Sequence, residues 1–473
     1  MMTSTNLWRY DAVALSGLLD AGTVTPVELL DLFLARCERL NPVLNAFIHV
    51  DRAGAMRAAV AAAARQGRGE RLGPLDGIPV AVKDNLFVAG MPASWGSLLF
   101  RGHFPKDDDL CVERLRTAGA VLIGKTTTPE FALSGRTESR IAGMTRNPWD
   151  PALTPGGSSG GAVAAVASGM VPLALGTDAG GSTRIPASYT GLVGLRPSNG
   201  RVPRRYGFPS MANDFQTIGT LTRTVRDQAL LYGALAGPDT RDPTSSRLPP
   251  TSAAPSGRKL RVGWFTAIGH EHADNAVAGS VGAALQMLAE QNCEIEPCTP
   301  PFDLTALRDI WGTLTAVGAA RVATRFPDRW QDETTTSVAA AVESGLAIPA
   351  TAYVEALDRL ALLRAGVSAS WGDFDALAMP TAPAPAWAAE EEHPAEIGGR
   401  PGKAATQGMF CGWVNAVGYP GISIPVAPHP DGRPIGLQFV APFGHETVLL
   451  DLARRLEQVL PWASRWPLLA ERS

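Results

Sequence analysis

Three short apolar runs, at residues 78–82, 120–123 and 171–175, constrain this chain more than any other feature. A run without polar alternation reads as a strand covered on both faces, the usual state of strands in a parallel sheet. Helical segments separate the runs: 109–117 precedes the second, and the small-residue stretch 160–169 precedes the third. Nearer the N-terminus, Thr25-Pro-Val-Glu28 combines a capping box with a proline in the first turn. Val27, Leu30, Phe33, Leu34, Cys37 and Leu40 follow at helical spacing, and Asn41-Pro42 is the predicted stop. Residues 55–66 are alanine-rich and helical. The alternation predicts an α/β fold with a largely parallel or mixed sheet covered by helices. Arg261-Val-Gly-Trp-Phe265 begins another strand, so the sheet continues past the Pro/Ser-rich surface excursion at 237–258. Residues 388–403, with Glu390-Glu-Glu392 and Gly398-Gly399, read as a mobile loop.

Length and charge remove several classes of function. A chain of 473 residues with 45% hydrophobic and 18% charged residues is long and apolar enough for a large buried core. Its net charge of −3 gives no bulk attraction for nucleic acid or an anionic membrane surface. The five cysteines, Cys37, Cys111, Cys293, Cys298 and Cys411, are odd in number and lack metal-ligand spacing. With no signal-peptide pattern at the N-terminus and no uninterrupted apolar span, a reduced, cytoplasmic, membrane-free protein is expected. His270-Glu-His272 has no third ligand in evident spacing, so no metal is expected there.

Candidate chemistry lies in two glycine-bounded serine runs and one lysine. Ser158 stands in Thr154-Pro-Gly-Gly-Ser-Ser-Gly-Gly161, and Ser182 stands in Gly176-Thr-Asp-Ala-Gly-Gly-Ser-Thr-Arg184. Lys83, in Ala81-Val-Lys-Asp-Asn85, closes the first apolar run, at the strand end where open α/β sheets place their chemistry. Acyl transfer without histidine needs a nucleophile, a base that returns the proton to the leaving group, and donors for the oxyanion. Lysine serves as that base only if its surroundings lower its pKa. Holding it neutral at pH 7 from a reference of ~10.4 costs about 4.6 kcal/mol. Two pattern matches point elsewhere and fail. Gly119-Ala-Val-Leu-Ile-Gly-Lys-Thr126 satisfies a phosphate-loop expression, but its middle is an apolar strand. Gly156-Gly-Ser-Ser-Gly160 satisfies the GxSxG elbow, but that reading leaves Lys83 and Ser182 unused.

These motifs together resemble the amidase signature family. The resemblance is carried by Gly73-Pro-Leu-Asp-Gly-Ile-Pro-Val-Ala-Val-Lys-Asp-Asn85, Asn147-Pro-Trp-Asp, both serine runs and Arg223-Thr-Val-Arg-Asp227. Asn415-Ala-Val-Gly-Tyr-Pro-Gly-Ile-Ser-Ile-Pro425 and Pro434-Ile-Gly-Leu-Gln438 extend it. It implies the amidase signature fold, a large twisted mixed sheet covered on both faces by helices. It also implies Ser182 as nucleophile and Ser158, in a cis peptide, relaying protons to Lys83. The backbone N–H groups of Ala179, Gly180, Gly181 and Ser182 would form the oxyanion hole. Asp178 and Arg184 read as supports of that loop, with Asn85 and Ser159 as candidates to orient Lys83 or Ser158. One domain over 1–473 is expected, with a signature core at 70–230 and a region at 240–410 shaping the pocket.

For the pocket itself, Tyr206, Phe208, Met211, Phe215, Met409, Phe410 and Trp413 are the apolar candidates, whereas Cys411 reads as packed. The expected partner is a small-molecule amide, aryl or alkyl, or a carbamate, cleaved by a monomer or homodimer without metal or organic cofactor. The alternatives are the glutaminase component of a tRNA-dependent amidotransferase and a hydrolase of ureido compounds of the biuret or allophanate type.

Overall fold

The computed structural model describes residues 4–205, 207–249 and 258–471. Its centre is an eleven-stranded sheet. In chain order the strands are β1 (Phe47–Val50), β2 (Pro79–Lys83), β3 (Val121–Thr126), β4 (Leu173–Asp178), β5 (Val193–Arg196) and β6 (Thr217–Thr222). They continue with β7 (Leu260–Trp264), β8 (Cys293–Pro297), β9 (Ala376–Pro380), β10 (Gly421–Pro425) and β11 (Gly436–Val440). The spatial order is β1-β3-β2-β4-β6-β5-β10-β11-β9-β7-β8. Strands β3, β2 and β4 are parallel to one another, as are β9, β7 and β8 at the other end. The strands between these groups pair antiparallel, so the sheet is mixed and the fold is α/β.

The three apolar runs of the sequence became β2, β3 and β4, each buried along its whole length. The phosphate-loop look-alike is therefore a core strand. Its Lys125 is fully buried and donates to the carbonyls of Leu86 at 2.6 Å and Pro92 at 3.2 Å. The helix opened by the Thr25 capping box runs over Pro26–Leu44, through the predicted stop at Pro42. Proline there forfeits only its own N–H within the last turn, and left-handed Asn45 ends the helix, its N–H donating to the Asn41 carbonyl at 2.7 Å. The segment expected as a loop at 388–403 contains a short hairpin, Glu396–Ile397 against Arg400–Pro401. Among the described residues no single helix is long and apolar enough to cross a membrane.

Candidate active site

Parallel pairing of β2 with β4 builds the floor of the site. Val80, Ala81 and Val82 register with Leu173, Ala174 and Leu175, and β4 runs on to Thr177 and Asp178. This brings Lys83, the last residue of β2, beside Thr177. The serine run leads into the helix Gly160–Ala167, whose residues are all buried and small or β-branched, so it lies close over the sheet. The Gly157–Ser158 peptide is cis.

The Lys83 ammonium nitrogen meets three hydroxyls: Ser158 Oγ at 2.8 Å, Ser159 Oγ at 3.0 Å and Thr177 Oγ1 at 3.1 Å. Lys83 is fully buried. Burial pushes its pKa down from 10.5 to about 7, and the charge of Asp178 opposes only part of that shift. Asn85 does not reach Lys83. Its Nδ2 donates to Thr177 Oγ1 at 2.9 Å, so it acts one hydroxyl removed.

The second serine is held by a different network. Asp178, at the end of β4, accepts from the N–H of Gly181 at 2.8 Å and of Thr183 at 3.1 Å. Arg184 forks onto the same carboxylate through Nε at 3.0 Å and Nη2 at 2.9 Å. Asn415 Nδ2 donates to Asp178 Oδ1 at 2.8 Å, while Arg184 Nη1 donates to Gln438 Oε1 at 2.5 Å. Burial alone would raise the Asp178 carboxyl, but Arg184, Arg196 and Asn415 hold it well below the usual range. A charge pair this deep stays ionised because the Arg184 guanidinium, the Asn415 amide and two backbone N–H groups all donate to the carboxylate. The network clamps the turn at 179–182, and the Ser182 carbonyl accepts from the Ser159 N–H at 3.2 Å. The two serine runs are thereby tied together.

This clamp corrects one expectation. The Gly181 N–H is engaged by Asp178, because a buried carboxylate is the strongest acceptor within its reach. The other three residues of the expected oxyanion hole, Ala179, Gly180 and Ser182, line the cavity whereas Gly181 does not. Glycine is nevertheless required at 181: its φ is +106°, and a Cβ would lie 2.6 Å from Cys411 Cβ. Cys411 itself is packed, its thiol pushed up to about 12 by burial.

The cavity over Ser182 has a volume of about 610 Å³. Met211 and Met409 line it as expected, but Phe208, Phe215, Phe410 and Trp413 do not. Phe208 stacks on Trp95 at 4.6 Å, Phe215 packs on Trp311 at 5.0 Å, and Trp413 packs on Phe302 at 4.8 Å. Phe410 is fully buried in the same cluster as Trp413. Packing against other rings holds Phe208, Phe215 and Trp413 in the core. Tyr206 lies outside the described residues.

The wall is completed by residues the sequence did not mark: Phe131, Leu133, Ile185, Leu304, Leu307 and Trp311. Trp311 stands directly over the turn, since a Cβ at Gly180 would meet its ring at 2.9 Å. Ile268 and Glu271 come from a hairpin that also contains His272. Thr177, Asn415 and Gln438 were legible as members of quoted motifs but carried no role; Trp311 carried no local signal at all. Among the described residues no three His, Cys, Asp or Glu side chains gather where a metal could be held.

A buried lysine pinned to serines beneath an apolar cavity agrees with what comparison with known proteins finds. The amidase family profile matches residues 28–450. The chain belongs to the amidase family. It is an amide-hydrolysing enzyme of the amidase signature type. It is 36% identical over 468 residues to the A-type subunit of glutamyl-tRNA(Gln) amidotransferase from Acidothermus cellulolyticus, covering 92% of each chain. It is 31% identical over 479 residues to an acylamidase of Rhodococcus erythropolis, covering 98% of each. Among solved structures it superimposes on 6-aminohexanoate cyclic dimer hydrolase, complexed with substrate, with a TM-score of 0.87 and 30% identity, over 98% of this amidase and 100% of that chain.

Proposed function

We propose that this amidase is a stand-alone serine hydrolase of neutral amides with apolar aryl or alkyl groups, and of carbamates of similar shape. The observation that carries the reading is Lys83: fully buried, held near neutrality and within 2.8 Å of Ser158 Oγ. A neutral amine has two N–H donors and one lone pair. Ser159 Oγ gives its proton to the Thr177 carbonyl at 3.3 Å, and Thr177 Oγ1 already accepts from Asn85. Ser159 thus accepts one N–H of Lys83; we assign the other to Thr177, which leaves the lone pair for Ser158.

In this mechanism Ser182 Oγ attacks the substrate carbonyl carbon. Its proton passes to Ser158 Oγ as the Ser158 proton moves to Lys83, while the N–H groups of Ala179, Gly180 and Ser182 hold the oxyanion. When the tetrahedral adduct collapses, the C–N bond breaks and the amine leaves with the proton returned through Ser158. Water then attacks the acyl- or carbamoyl-enzyme, gives its proton to the same relay and restores the Ser182 hydroxyl.

A second reading is favoured by the identity to glutamyl-tRNA(Gln) amidotransferase components. Glutamine would set its ammonium and carboxylate against Glu271 and Arg308, the charged side chains of the described cavity lining. Arg308 is exposed, however, and the rest of the wall is mostly apolar, which suits a neutral substrate better. Purified protein, assayed alone on an anilide, an aryl carbamate, a short aliphatic amide and glutamine, separates the two. Turnover of the anilide or carbamate, lost in Ser182→Ala, supports the stand-alone hydrolase. Silence on both, with glutaminase activity only after partner proteins are added, replaces it with the amidotransferase reading.

A further inference from the structure

Within the cavity wall, three polar atoms have no hydrogen-bond partner in the described chain: Gln407 Nε2, Gln216 Nε2 and Thr315 Oγ1. Gln407 is the most deeply set, with 6% of its surface exposed. Its carboxamide occupies the space a side chain at Gly135 would need, and a side chain at Gly157, next to Ser158, would meet the Ser134–Gly135 backbone. A Cβ at the following residue, Gly408, would lie 3.7 Å from the Gly180 carbonyl. Gln407 is thus wedged between the two loops that carry the serines.

An amide nitrogen offers only donors, and a buried donor left unpaired is costly. That donor has no partner and almost no accessible surface, so a substrate pairs it only by drawing the Gln407 carboxamide round to an acceptor that the substrate supplies. An alkyl or aryl amide uses its one carbonyl on the oxyanion donors and has none to spare. On the basis of the function proposed above, we propose that Gln407 is a specificity-determining residue that donates to a second carbonyl of the substrate, so that the preferred class is amides carrying a further carbonyl. Gln216, likewise a donor, and Thr315 sit in the same wall and widen the choice of position for that group.

The test compares an alkanoyl anilide with two analogues of similar size, one carrying an added carbonyl in the acyl part and one in the amine part. For the wild type, kcat/KM should favour at least one analogue by roughly 10- to 100-fold, the range expected for one buried donor. Gln407→Leu and Gln407→Met both remove the donor at similar bulk, and in each the preference should fall to near one. Because the readout is a ratio within one preparation, general damage to the fold cancels. Binding of the same compounds to Ser182→Ala, with and without Gln407→Leu, is measured by calorimetry. It reads the preference even if Ser182 proves not to be the nucleophile. Equal handling of all three compounds by the wild type, or a preference that survives both Gln407 variants, overturns the proposal. Failure of every compound to bind overturns it as well.

Discussion

The floor of the site and the wall above it are built by opposite rules. Around Lys83 and Asp178 the side chains are polar, buried and paired: three hydroxyls meet the amine, and Arg184 and Asn415 meet the carboxylate. Above Ser182 the wall is mostly apolar, partly exposed, and leaves Gln407, Gln216 and Thr315 without partners. A network with several hydrogen bonds on each charged group holds one geometry, and such rigidity is what a proton relay needs. An unsaturated wall stays open to the ligand that completes it, which is where a shared fold can vary its substrate.

If that division holds, changes in the floor abolish turnover of every substrate, and changes in the wall alter the choice among them. The largest effect is expected from Ser182→Ala, which should lower kcat by about 10⁴-fold or more on all amides alike. Comparable loss on only one substrate would break the division. Next, Arg184→Met leaves the Asp178 carboxylate buried without its fork. Stability should fall by about 3–5 kcal/mol in urea unfolding, the usual result of stranding one partner of a buried pair. An unchanged midpoint would show that the remaining donors suffice.

The pH profile sharpens the same contrast. Lys83 works as a base only when neutral, and burial places its pKa at about 7. Measured kcat/KM should therefore rise about tenfold per unit below pH 7 and level off above it. A flat profile from pH 5 to 9, with chemistry limiting, would remove Lys83 from the mechanism. The sign for stability follows from the same shift. Between about 7 and 10.5 the unfolded chain binds the proton that native Lys83 has released, so stability rises with pH across that window. The advantage of Lys83→Met over wild type in unfolding experiments should shrink over the same interval. The smallest effect belongs to the wall: Trp311→Ala should change the ratio of anilide to short aliphatic amide kcat/KM by about 10-fold, the value of one lost apolar contact. Equal losses on both would move Trp311 from the wall to the support of the Gly180 turn.

Much of the floor was legible beforehand because its cues are local. An apolar run marks a buried strand, Lys83 ends one, and glycines bracket both serines, each cue spanning only a few residues. The capping box at Thr25 was legible for the same reason, as its two hydrogen bonds join residues three apart. Aromatic character misled, because Phe208, Phe215, Phe410 and Trp413 have the same composition whether they face a cavity or the core.

The sequence by itself determined the α/β class, the strand that carries Lys83 and the family to which the chain belongs. Only the tertiary structure decided that Thr177 is the third neighbour of Lys83, that Asp178 engages the Gly181 N–H, that Trp311 closes over the turn and that Gln407 lies against Gly135. Strand and cap signals are written in the spacing of neighbouring residues, whereas these contacts depend on strand register and on helices joined across long stretches of chain. No local periodicity encodes them.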